Sequence, residues 1–83
     1  MYRKPLHKLA AGEKAFIIDI NDAKQCELFF ELGVFPGDLV QMEENCSGNN
    51  SLRVRINNKR FNIYKQAAET IITEVVSFEL SLN

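Results

Sequence analysis

The stretch Gly33-Val34-Phe35-Pro36-Gly37-Asp38 constrains this chain more than any other. A segment with helical spacing of apolar residues precedes it and a segment with alternating apolar residues follows it, so two kinds of backbone meet there. Gly33 stops the helix, because the residue past a helix C-terminus commonly takes positive φ and glycine does so without a Cβ penalty. Pro36 presets φ at the second position of a turn and Gly37 supplies positive φ at the third, as a type II turn requires. Helix and strand are therefore joined by a stiff, sharp reversal.

On the helix side, Asn21 or Asp22 offers an N-cap oxygen; with Asp22 as cap, Gln25 falls in capping-box position. Ala23, Cys26, Phe29, Phe30 and Leu32 make an apolar face, while Lys24, Glu27 and Glu31 look outward. Upstream, Leu6 and Leu9 have the spacing of one helical turn, and Ala11-Gly12-Glu13 leads into a first strand over 14–20. There Phe16, Ile18 and Ile20 share one parity, and Ala15 and Ile17 the other. Such a strand is covered on both faces or carries a bulge.

Downstream, a second strand over 39–44 points Val40 and Met42 inward, and residues 45–51 form a polar hairpin loop. The third strand alternates Leu52, Val54 and Ile56 against Arg53, Arg55 and Asn57. Asn57-Asn58-Lys59 permits a tight reversal, since asparagine tolerates the left-handed region. Phe61 and Ile63 face inward on a fourth strand. Residues 65–70 form a short helical turn that returns Ala67, Ala68 and Ile71 to the core. The last stretch, 76–82, alternates with Val76, Phe78, Leu80 and Leu82 on one face. The reading is a mostly β chain: a small, strongly bent barrel of about five strands with one inserted α-helix, which shelters most sheet edges. One domain spans 1–83, with a core over 6–75 and a C-terminal strand extension over 76–83.

Composition supports a globular fold, with 46% hydrophobic and 25% charged residues in 83. Ten basic residues against eleven acidic ones leave a formal charge of −1, which argues against nucleic-acid binding. No run of about 18 apolar residues spans a membrane, and the basic start lacks the apolar region of a secretory signal. Cys26 and Cys46 are too few for a disulfide framework; they read as reduced thiols of a cytoplasmic protein, with a single bridge as the alternative.

The residues offer no catalytic set. His7 is the one histidine, no serine or cysteine stands with a base and an orienting acid, and the four glycines are scattered at turns. No enzyme is expected. Cys26, on the apolar helix face, reads as packing rather than ligation. Glu43, Glu44 and Cys46 cluster near the hairpin loop without making a defined metal site. Neither a metal nor another cofactor is expected.

The pattern resembles the FeoA domain family of ferrous-iron transport. Leu6-His7-Lys8-Leu9-Ala10-Ala11-Gly12-Glu13 looks like that family's leucine-x-x-leucine segment before a glycine turn. Glu31-Leu32-Gly33-Val34-Phe35-Pro36-Gly37-Asp38-Leu39-Val40 is similar to its leucine-glycine-x-x-proline-glycine segment, and Phe61-Asn62-Ile63-Tyr64 and Ala68-Glu69-Thr70-Ile71 fit its last strand, turn and short helix. Ala11 and Ser51 stand where proline is common, and Thr73 where an aliphatic residue is usual. The resemblance implies an SH3-like β-barrel and a non-enzymatic cytoplasmic accessory of the bacterial ferrous-iron transporter, a membrane protein with a GTP-binding domain (FeoB-type). It would sit at the inner membrane through that partner, without inserting. Similar domains end metal-dependent transcriptional repressors, so a transition-metal-responsive regulatory module is the alternative.

Binding is the role the residues leave. Leu32, Gly33, Phe35, Pro36 and Gly37, at the helix end and turn, form the candidate docking surface, with Phe35 either an anchor for a partner or folded back onto the helix. Arg53 and Arg55 share an outward face that would meet an acidic surface, or simply be solvated. The stretch 76–82 would pair a second copy, making a homo-oligomer, or cover the protein's own barrel.

Overall fold

The computed structural model describes residues 2–45 and 50–77. Six antiparallel strands form one sheet in the order β1-β6-β2-β3-β4-β5. They are β1 (Tyr2–Pro5), β2 (Lys14–Ile20), β3 (Leu39–Glu44), β4 (Ser51–Ile56), β5 (Lys59–Tyr64) and β6 (Ile71–Ser77). A 3-10 turn, Leu6–Lys8, follows β1; α1 (Ala23–Glu31) links β2 to β3, and α2 (Lys65–Ala68) links β5 to β6.

The mostly β, SH3-like reading holds, with six strands rather than about five. The additional one is β1, which pairs with β6 from Tyr2↔Val75 to Pro5↔Ile72. Among the described residues no ladder joins β1 to β5, so the sheet is bent but not closed. The 3-10 turn and α2 pack against each other, so the elements that continue from these two edges meet where the ladder does not.

The bulge expected in β2 is present. Ile17 pairs with Thr73 and Asp19 with Ile72, which leaves Ile18 as the extra residue. Its insertion flips the parity: Ala15 and Ile17 are buried before it and Ile20 after it. Apolar residues on both parities thus reflect one bulged strand, not one covered twice. The core gathers Leu6, Leu9, Ile17, Val40, Met42, Leu52, Val54, Ile56 and Ile71, with Phe29 of α1 as its lid. Cys26 and Phe61 pack against it partly buried. The capping of α1 follows the sequence, with the Asp22 carboxylate accepting the Gln25 amide at 2.9 Å. Among the described residues no helix is long and apolar enough to cross a membrane. Cys46 and most of the alternating stretch, residues 78–82, lie outside the described residues.

Candidate functional site

The 33–38 connection is built as a rigid platform. Gly33 and Gly37 take φ of +82° and +98°, the left-handed conformations that the helix stop and the type II turn demand. The Asp38 amide donates to the Phe35 carbonyl at 3.0 Å and closes the turn. The Asp38 carboxylate in turn accepts the Phe35 amide at 2.8 Å and the Asn57 side-chain amide at 3.1 Å. Gly37 N–H to Ile17 O (2.6 Å) and Ile17 N–H to Asp38 O (2.9 Å) stitch the turn to β2. Residues from β2, the turn and the β4–β5 reversal therefore fix one another.

On this platform Phe35 folds back onto the helix, one of the two readings the sequence left open, without becoming buried. Its ring lies 4.8 Å from that of Phe30 with planes at 35°, so it folds onto α1, yet Phe35 stays 46% and Phe30 43% exposed. The two tilted aromatic rings form an ordered apolar pair held half in solvent. Phe30, read as part of the apolar helix face, belongs to this half-exposed pair instead. Leu32 is exposed as well and, with Leu28, faces the other flank of α1, where a cleft of about 330 Å³ separates the helix from Asn62, Ile63 and Tyr64 of β5.

Gly33, Phe35, Pro36 and Gly37 therefore sit together at the turn, while Leu32 faces the cleft on the opposite flank of α1. Arg53 and Arg55 stand apart on the outer face of β4, and they are neither free nor merely solvated. Between Met42 and Glu44 the β3–β4 register slips by one residue, with Met42 opposite Val54 and Glu44 opposite Arg53. Glu43 is left over and its carboxylate receives Arg55 Nε at 3.2 Å and Arg60 Nε at 2.8 Å, with Arg53 Nε at 3.9 Å. Arg53 also binds Glu44 at 2.9 Å. Arg55 and Arg60 face each other directly across β4 and β5, a like-charge pair that Glu43 makes tolerable. Burial by itself would raise the Glu43 carboxyl; the Arg55 and Arg60 guanidiniums outweigh it and hold the group below its ordinary value.

Glu43 and Glu44 end the strand expected over 39–44, and both are engaged by arginine. Among the described residues no three histidine, cysteine, aspartate or glutamate side chains come together to hold a metal ion. Sequence reasoning did not single out Arg60 or Leu28. Arg60 was detectable only through the strand register, and Leu28 only through the place where β5 passes α1.

The chain matches the model of the FeoA domain over residues 4–75. Its fold is similar to that of an iron uptake regulatory protein (FeoA), with TM-score 0.81 at 20% identity, over 90% of this chain and 100% of that one. A FeoA-like protein from Clostridium acetobutylicum gives TM-score 0.82 at 16% identity, over 100% of this chain and 99% of that one. A manganese-dependent transcriptional repressor gives TM-score 0.82 at 16% identity over 89% of this chain, which spans only 42% of the repressor. No curated protein sequence is significantly matched.

Proposed function

This chain belongs to the FeoA domain family, and from that premise we propose that it is a non-enzymatic accessory of ferrous-iron uptake, acting by contact with the cytosolic part of the membrane ferrous-iron transporter. The observation that carries the proposal is the Phe30–Phe35 ring pair, half exposed beside a turn locked by Asp38 and Asn57. Large exposed aromatics on a rigid support are the usual energetic centre of a protein interface. Gly33, Pro36 and Gly37 complete the docking surface, and Leu32 lies outside it on the opposite flank of α1. Arg53 and Arg55 stand apart from this surface and are paired with Glu43 and Glu44, so the reading gives them no anchoring role.

Pull-down and titration with the transporter's GTP-binding cytosolic domain test the reading. Phe35→Ala should weaken binding at least roughly tenfold, the loss of a central aromatic anchor. Unchanged affinity in a folded variant would discard the docking surface. The likeness to the manganese-dependent repressor favours one alternative, a regulatory module that responds to a transition metal. Calorimetric titration with ferrous and manganous ions separates the two: stoichiometric tight binding supports the alternative.

A further inference from the structure

Phe16 of β2 and Leu39 of β3 stand directly opposite each other on the outer face of the sheet, each 42% exposed. Residues opposed across an antiparallel pair hold their side chains side by side, so the two form one apolar step. Two residues along the strands, Lys14, Gln41 and Arg55 lie in a row across β2, β3 and β4. Beside that row is a cleft of about 300 Å³ lined by Lys14, Leu39, Gln41, Arg55, Asn57 and Asn58. All of these residues sit within the sheet or its β4–β5 reversal, not along an open edge. The charges around the row are unequal: four cations, Lys14, Arg53, Arg55 and Arg60, meet the carboxylates of Glu43 and Glu44. Among the described residues the Lys14 ammonium has neither an ion pair nor a hydrogen bond, and Arg55 gives Glu43 only its Nε, leaving both Nη groups unclaimed. The Cα atoms of Lys14 and Arg55 are about 10 Å apart at the usual strand spacing, with Gln41 between them. Side chains of that length reach one carboxylate placed over Gln41 from both sides.

We propose that this cleft receives an acidic residue of the transporter's cytosolic part, its carboxylate accepting from Lys14 Nζ and Arg55 Nη while an apolar residue next to it packs on Phe16 and Leu39. This contact rests on the docking reading above and adds a partner chemistry to it: a carboxylate beside an aliphatic or aromatic side chain. Charge complementarity selects the acidic group, because the open donors are cationic and the face carries them in excess although the whole chain has a formal charge of −1. A single carboxylate fits better than a polyanion, which would run on from Arg55 into Glu43 and Glu44. The cleft also adjoins the turn that carries Phe35. Leu39 follows Asp38, and the Asp38 carboxylate that accepts the Phe35 amide at 2.8 Å also accepts the Asn57 side-chain amide at 3.1 Å. One side chain thus holds both the turn and the rim of the cleft.

Calorimetric titration of the full chain with the transporter's GTP-binding cytosolic domain, at stepped salt, tests this. Lys14→Glu should weaken binding at least roughly tenfold and flatten its salt dependence, while Lys14→Arg should bind as the parent does. Phe16→Ser should weaken binding by about tenfold as well. Lys14→Gln keeps the aliphatic stem and removes only the charge; its loss of about fivefold stays readable if the charge reversal disturbs β2. Weakened binding by Phe35→Ala together with parental binding by Lys14→Glu and Lys14→Gln overturns the cleft contact and leaves the docking surface standing. A parent without affinity for the domain overturns both. A parent with the mass of two chains in light scattering, reduced to one chain by Lys14→Glu, puts a second copy in the cleft and overturns the proposal.

Discussion

The Thr73 hydroxyl donates to the backbone carbonyl of Lys4 at 2.7 Å, and Thr73 is fully buried. A polar residue thus occupies the core position where an aliphatic one would be usual, because it serves the β1 backbone. Lys4 is held a second time, its ammonium 2.8 Å from the buried Glu13 carboxylate, which also accepts the Ala10 amide at 2.6 Å. Strand β1 is polar and lies at the edge of the sheet, so these two contacts, more than apolar burial, keep it in place.

Thr73→Val preserves shape and removes the donor, leaving a buried carbonyl with one partner fewer. The expected cost is about 1 kcal/mol. For a domain of this size that lowers the melting temperature by roughly 4–8 °C. Amide exchange should quicken in β1 while β3 and β4 stay protected; uniform quickening would show that Thr73 supports the whole core instead.

Acid should destabilise the protein in two stages. Burial foremost, helped by Lys8 and Lys65 and opposed by Glu69, holds the His7 imidazole below its ordinary 6.5, and its Nδ1 is buried with no hydrogen-bond partner among the described residues. Its contribution is complete above pH 6.5 and declines as pH falls through the lowered folded value. Burial would raise the Glu13 carboxyl, but the Lys4 ammonium and the Ala10 amide hold it below its ordinary 4.5, so its contribution is lost further down. Glu13→Gln should cost roughly 2 kcal/mol near neutrality, where the parent carries the charged pair. In denaturant titrations at stepped pH, parent and variant should converge below pH 4.5; a constant gap would mean the charge is irrelevant.

Most of this architecture is legible in the sequence because local chemistry decided it. The Asp22 cap, the glycine stop, the proline–glycine turn and the asparagine reversal each act within a few residues, and all formed where expected. Strand β1 escaped because Tyr2-Arg3-Lys4-Pro5 has no apolar alternation; an edge strand tolerates polar side chains and a proline, so its signal lies in its partners. The Glu43 cluster escaped for a related reason: the register slip in β3 decides which arginines meet, and no local pattern announces it. Exposure of Phe30 likewise depends on where Phe35 returns across the turn.

Glu43→Gln should scarcely change the melting temperature, since its arginine partners are largely exposed and solvent screens such pairs. The consequence is electrostatic. Arg53 would then keep Glu44, while Arg55 and Arg60 would lose the carboxylate that pairs them, turning the outer face of β4 and β5 cationic. Stronger retention on a cation exchanger at low salt, fading as salt rises, is the expected signature. Unaltered retention would show that another group neutralises the face.

Gly37→Ala separates strain from steric conflict. A Cβ at this glycine meets no atom within 4 Å, so crowding does not oppose the substitution, but φ of +98° does. Forcing an alanine there costs about 1–2 kcal/mol, or relaxes the turn and with it the 2.6 Å bond to Ile17. Either route moves Phe35 relative to Phe30, because Asp38 ties the turn to the Phe35 amide. Gly37→Ala should therefore weaken transporter binding although it removes no contact group, and pairing it with Phe35→Ala should add little further loss, because two changes that disable one anchor are not additive. Fully additive losses in that double variant would place the recognition elsewhere on the turn.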